Sequence, residues 1–244
     1  MSRSLPEKLQ TTLRKEHAKP KPVFVPARAS LPVSLPRKNV EPKKPENLPS
    51  YFVMSNRFSL FENCDMKPFP QKCGNFSCGD SDLDDFFLNE AHNFEGQLLG
   101  KTFCFVEKEK TENIVCAFTL ANASVKNKEI PDEAKKVLRK NFPRPKRARK
   151  EYPAVLLGRI GVSQKYCRRG IGTQVLDMLK QYFRYEIKSA CRFLVVDAYN
   201  NDDTLRFYEN NGFLFVFPEE EDEKKFLKKN ALETRLMVFD LISV

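Results

Sequence analysis

GRIGVSQKYCRRGIGTQVLDMLKQYFRYEIKSACRFLVVDAYNNDDTLRFYENNGF, residues 158–213, carries the densest structural signal in this chain. It begins inside an apolar run over 154–162 that predicts a strand, and CRRGIGT over 167–173 then opens an amphipathic helix. Gly170 and Gly172 stand two apart at the mouth of that helix, whose Ile171, Val175, Leu176, Leu179 and Phe183 follow helical spacing. A strand that ends in a glycine-bearing turn, with a helix starting inside the turn, leaves several backbone N–H groups aimed at one point. That geometry binds phosphate, and Arg168 and Arg169 add charge beside it. A blander reading has the glycines serve only close packing of helix on sheet. The dinucleotide fingerprint does not fit, since no third glycine follows at the required spacing, and no lysine follows as in a P-loop. The second half of the stretch favours the phosphate reading: another apolar strand over 193–198 leads to a short Tyr-bearing helix that closes on Gly212, a left-handed helix stop. The stretch therefore predicts a grip on a phosphorylated cofactor.

These residues resemble the GNAT superfamily of N-acetyltransferases. The family signature [Q/R]-x-x-G-x-[G/A] stands here as Cys167-Arg168-Arg169-Gly170-Ile171-Gly172. The later N-x-x-A-x-x-F-Y-x-x-x-G-F stands as Asn201, Thr204 in the small-residue position, Phe207-Tyr208 and Gly212-Phe213. Cys167 replaces the usual Gln or Arg, which removes one side-chain contact to pyrophosphate and leaves the backbone donors intact. Upstream, FSCGDSDLDDFFLNEA, GKTFCFVEKEKTENIVCAFTLANASV and YPAVLLGRIGV look like the toxin-type branch, whose members acetylate the amino group of aminoacyl-tRNA. The resemblance covers roughly 76–240.

The resemblance implies a fold, a cofactor and a role for each matching residue. The fold class is α/β (α+β): a GNAT fold, with a mixed, mostly antiparallel central sheet, helices on both faces and a splayed parallel strand pair holding the cofactor. The cofactor is acetyl-CoA. The strand carrying Ile160, Gly161 and Val162 pairs with its pantetheine arm, and an N–H near Val162 polarises the thioester. Cys167, Arg168, Arg169, Gly170, Ile171, Gly172 and Thr173 surround the pyrophosphate, and Asn201 contacts the arm. Tyr208 protonates the leaving thiolate, which suits a phenol near pKa ~10; the alternative is an ordinary core tyrosine beside Phe207. For a general base, Glu209, Asp197 and an ordered water chain all stand open. Partners implied are aminoacyl-tRNA and a cognate antitoxin, with a homodimer allowed. Two rival functions remain: acetylation of a small amine or protein N-terminus, and a non-catalytic acetyl-CoA-binding adaptor.

Charge placement says more than its sum. The formal +10 divides as +7 over 1–50, +7 over 131–150, −4 over 51–130 and zero over 151–244. KKVLRKNFPRPKRARK (135–150) runs straight into the strand that holds the cofactor, and positive charge there attracts a phosphate backbone. Arg144, Lys146, Arg147, Arg149 and Lys150 are the candidate nucleic-acid contacts; a solvated loop is the alternative. Residues 1–50 hold nine of the 16 prolines and no glycine, so 1–53 reads as a disordered Pro/Lys-rich tail ahead of an acetyltransferase domain over 54–244. Met54 stands where domain-like sequence begins, as an internal start would. No apolar run suggests a secretion signal or membrane span, and a cytoplasmic location is expected.

The seven cysteines are odd in number and irregularly spaced, and with only His17 and His92 beside them no metal site is expected. Cys104, Cys116 and Cys191 read as small core residues. Cys167, at a helix N-terminus beside two arginines, reads as a readily ionised thiol. The coarse element reading places helices over 81–94 (capped by Ser81), 132–140, 170–189 and 203–210. Strands are expected over 101–108, 113–121, 154–162, 193–198, 213–217 and 234–241, with 219–229 a polar connection or a helical turn.

Overall fold

Alternation along the strands sorts the side chains onto two faces, and each face acquires its own helices. The structure is a computed structural model, and it describes residues 58–71, 76–126, 128, 132, 135 and 150–243. Seven strands form one sheet: β1 (Cys64–Pro68), β2 (Lys101–Glu107), β3 (Ile114–Lys126), β4 (Glu151–Val162), β5 (Phe193–Tyr199), β6 (Leu214–Phe215) and β7 (Thr234–Asp240). Their spatial order is β1-β2-β3-β4-β5-β7-β6. Only β4 and β5 are parallel neighbours, because a helix, α4 (Ile171–Gln181), carries the chain across between them.

On one face, Leu194, Val196 and Ala198 of β5 pack with Val175, Leu176 and Leu179 of α4 and with Tyr208 of α5 (Asp202–Asn210). On the other face, Phe193 and Val195 pack with Val216 and Phe217, beneath α6 (Glu220–Leu227). Further along that second face, Phe86, Phe87 and Ala91 cover Cys104, Val106 and Ala117. These aromatics come from α2 (Ser81–Asp85), a π-helical turn at Phe86–Glu90 and α3 (Ala91–Gly96). A short α1 (Leu60–Asn63) precedes β1, and its Leu60 N–H donates to Gln174 Oε1 of α4 at 2.8 Å.

Two features of β4 set the shape of the space beside it. Its ladder with β3 pairs Leu157 with Leu120 and Arg159 with Thr119, so Gly158 is an extra residue, a bulge. The bulge changes the parity of the strand. Ala154 packs on the α6 side before it, and after it Arg159 and Gly161 lie against Phe86 and Phe87 on the same face. The second feature is a short parallel ladder. Ala154, Val155 and Leu156 pair with Phe193, Leu194 and Val195, and no described strand pairs with residues 157–162 on that side.

The structure corrects several sequence expectations. Asp80, not Ser81, caps α2: its carboxylate accepts the N–H groups of Asp82 and Leu83, each at 3.0 Å. The strand expected over 213–217 is only Leu214–Phe215, since Val216 and Phe217 turn inward under α6. Of the two readings of the run 219–229, the helical one holds over Glu220–Leu227, where Glu223 faces the core and meets Arg235 at 2.6 Å. The helix over 170–189 keeps α geometry to Gln181, followed by a π-helical turn, Tyr182–Glu186. β1 and α1 have no counterpart among the expected elements. The expected tail over 1–53, the helix over 132–140 (save 132 and 135) and Cys73 lie outside the described residues.

Candidate active site

The splay of β4 from β5 opens a cleft of about 800 Å³ through the sheet. Its two walls differ in chemistry because they belong to the two faces.

The first wall is the turn between β4 and α4. Ser163, Gln164 and Tyr166 wind into one 3-10 turn, closed by the Tyr166 N–H on the Ser163 carbonyl at 2.8 Å. Arg168 and Gly170 then adopt left-handed backbone, with φ of 58° and 75°. The N–H groups of Arg168, Arg169, Gly170, Ile171, Gly172 and Thr173 donate to no described residue. The first intrahelical bond is Gln174 N–H to the Gly170 carbonyl, at 3.1 Å. The result is a helix N-terminus with six consecutive N–H groups that lack a described acceptor, a geometry that suits an anion. The two glycines have separate jobs. A Cβ on Gly170 would meet open space, so its backbone conformation is what matters; a Cβ on Gly172 would stand 2.9 Å from the Phe207 ring, so its smallness is what matters.

Most predicted residues come together here. Ile160, Val162, Cys167, Arg168, Gly170, Ile171, Gly172 and Thr173 line the cleft, as does Tyr208 from α5. Three do not. Gly161 faces Cys78 and Phe87, Arg169 lies over the Tyr166 ring at 5.5 Å, and Asn201 caps α5 by accepting the Thr204 N–H at 2.9 Å. Cys167 is exposed, its thiol 3.5 Å from the Val162 carbonyl. Of the nucleic-acid candidates only Lys150 is described, and it is exposed; Arg144, Lys146, Arg147 and Arg149 lie outside the described residues. Tyr208 is 6% exposed, and burial drives its phenol well above the ordinary tyrosine value.

The second wall carries groups that the sequence reading passed over: Asp80, Asp82, Leu83, Arg159 and Tyr199. The Tyr199 hydroxyl donates to Asp82 at 2.9 Å across the cleft mouth, and burial, then this bond, pushes its pKa up to about 12. Asp197 of β5 also lines this wall. It is open to the cleft yet surrounded by protein, so desolvation raises its pKa, with the charge of Glu223 adding to the effect. Arg159 left a trace in the sequence, as the one charge inside the apolar run 154–162. Tyr166 lines the cleft near the turn, and burial, then its bond to Glu107, lifts its pKa to about 12. Among the described residues no cluster of His, Cys, Asp or Glu could hold a metal ion, and no helix is long and apolar enough to cross a membrane.

Residues 142–214, which span the turn, α4, β5 and α5, match the family described as the acetyltransferase (GNAT) domain. That segment is similar to a GNAT acetyltransferase domain. A tRNA-acetylating toxin of Mycobacterium tuberculosis (strain ATCC 25618 / H37Rv) is 28% identical over 139 residues, covering 57% of this chain and 75% of the relative. Among solved structures, AtaT complexed with acetyl-methionyl-tRNAfMet is 16% identical, with a TM-score of 0.55 over 74% of this chain and 96% of its own. A mutant of the toxin AtaT bound to the C-terminus of the antitoxin AtaR and acetyl-CoA is 14% identical, with a TM-score of 0.50 over 74% of this chain and 95% of its own. At such identity these structures share the fold of this chain.

Proposed function

We propose that this GNAT domain transfers the acetyl group of acetyl-CoA to the amino group of an aminoacyl-tRNA, as the toxin of a toxin–antitoxin pair acting in the cytoplasm. The observation that carries the cofactor half is the open edge of β4 ending at a turn whose six consecutive N–H groups have no described acceptor. An extended amide-bearing arm fits the edge and a pyrophosphate fits the turn, so the residues present suit acetyl-CoA. The acceptor half rests on the relative named a tRNA-acetylating toxin.

Acetyl-CoA supplies an acetyl group activated as a thioester. The chain must then deprotonate the amine, stabilise charge on the carbonyl oxygen and return a proton to the departing sulfur. Backbone N–H groups of Ile160 and Val162, on the open edge of β4, are the donors in reach of the cleft for the carbonyl. Tyr208, neutral and buried, is the proton source. Of the candidate bases, Glu209 is exposed and does not line the cleft, whereas Asp197 lines it, has no described hydrogen-bond or ion-pair partner and holds its proton more firmly than an ordinary Asp. The basic block ending at Lys150 would draw the tRNA toward the cleft.

The test is transfer of labelled acetyl from acetyl-CoA into charged tRNA, in a translation extract, by wild type and Tyr208→Phe. Label in the aminoacyl fraction with arrest of translation, both lost in the variant while cofactor affinity holds, is the expected result. Labelling of small amines or protein N-termini alone would overturn the acceptor assignment. Undiminished transfer by Tyr208→Phe would overturn the role of the tyrosine, and cofactor binding without any transfer would leave an adaptor.

A further inference from the structure

Arg159 is the anomaly of the second wall. It follows the bulge at Gly158, and that extra residue is what turns its side chain toward α2 and α3 rather than toward α4. Its guanidinium carbon lies 3.7 Å from the centre of the Phe86 ring and 5.8 Å from that of Phe94. Its edge lines the cleft. The guanidinium donates no hydrogen bond to the described residues and pairs with no described carboxylate. Of the acids on the wall, Asp82 accepts from Tyr199, Asp80 accepts from two backbone N–H groups, and Asp197 makes no described ion pair with it. A guanidinium held by its face against an aromatic ring, its row of donors left unfilled, is preorganised for a planar or anionic oxygen acceptor.

We propose that Arg159 binds a backbone phosphate of the acceptor's 3′ end and so sets the protein's preference for an amine carried on a nucleic acid. This rests on the aminoacyl-tRNA reading above. The cofactor's own phosphates are an unsuitable partner, because the turn that receives them lies on the α4 side of β4, beyond Val162. An acceptor amino acid in a charged tRNA has its carboxyl group esterified, so the anions nearest its amine are the phosphates of the terminal nucleotides. Arg159 thus acts in recognition, with Asp197 left to the amine. Phe86 is its positioning residue, since the ring fixes the plane of the guanidinium.

The experiment compares wild type, Arg159→Gln and Arg159→Lys on two acceptors, charged tRNA and a phosphate-free amino acid ester, over a range of salt concentrations. For Arg159→Gln the KM for charged tRNA should rise roughly tenfold to a hundredfold, the range for losing a hydrogen bond to a charged group. The KM for the ester and the Kd for acetyl-CoA should stay within about twofold of wild type. The slope of log KM against log salt should fall by about 0.7, one phosphate contact on a single strand. Arg159→Lys should lie between, keeping the charge and losing the fork. Equal losses on both acceptors, an unchanged salt slope or a weakened cofactor would overturn the assignment. Wild-type transfer to tRNA that survives in Arg159→Gln removes the Arg159 assignment alone, whereas absence of wild-type transfer to tRNA removes the acceptor reading and this assignment with it.

Discussion

Single atoms decide much of this site. At Gly170 the requirement is a backbone angle, and Gly170→Ala should cost about 1 kcal/mol of stability for the left-handed conformation while loosening the anion-binding turn. At Gly172 the requirement is space. Gly172→Ala should push on the Phe207 ring and cost about 1–3 kcal/mol, with the helices displaced around it. Denaturant unfolding of both variants, beside cofactor titration, separates the two causes. The raised pKa of Asp197 has a kinetic sign. A base works only when ionised, so the acid limb of kcat/KM should lie above the ordinary Asp range and vanish in Asp197→Asn. Tyr166 and Glu107 add a stability sign. Hydrogen bonds from Asn113 and then Tyr166 lower the Glu107 pKa, so its contribution is present above the unfolded Glu value and lost as pH falls through the folded one. Tyr166, raised to about 12, contributes fully below the ordinary tyrosine value and loses that contribution as pH climbs through about 12. Thermal melts of Glu107→Gln and wild type should therefore converge toward acid.

At the scale of elements, caps and turns account for most of what the sequence disclosed and what it hid. The strand, turn and helix over 154–181 were legible because apolar spacing, glycine placement and a short connection all point one way. The first cap was misplaced by one residue because Asp80 and Ser81 are both good caps, and only the carboxylate reaches two N–H groups. β1 escaped notice because four of its five residues are exposed and it holds a proline, so no alternation marks it. The second wall was hidden for a different reason. Arg159, Asp82 and Tyr199 come from three separated elements, and only the tertiary fold brings them to one cleft. Asn201 matched a family position yet serves as a cap. Asn201→Ala should lower stability by about 1 kcal/mol with little change in cofactor affinity, and a large change in that affinity would show a direct contact.

Across the whole molecule, one buried ion pair ties the far end of the sheet to its second face. Glu223 and Arg235 are 1% and 5% exposed and meet at 2.6 Å, and Arg235 also donates to the Phe217 carbonyl at 2.8 Å. Glu223 accepts the Leu236 N–H as well, so no partner can be removed without stranding another. Glu223→Gln should cost about 3 kcal/mol, visible as a lower unfolding midpoint, because the buried guanidinium keeps only the more distant Glu220, at 4.0 Å, as counter-charge.

The parting of β4 from β5 has a consequence for the order of events in a turnover. Because the cleft passes through the sheet, the turn proposed to take the pyrophosphate opens on one side and the wall of Arg159, Asp82 and Tyr199 on the other. Neither reactant need cross the other's path to arrive or depart. Initial-rate plots should then intersect, as in a sequential bi-substrate scheme, rather than run parallel as for a covalent acetyl-enzyme. Each product should compete chiefly with the reactant that shares its doorway.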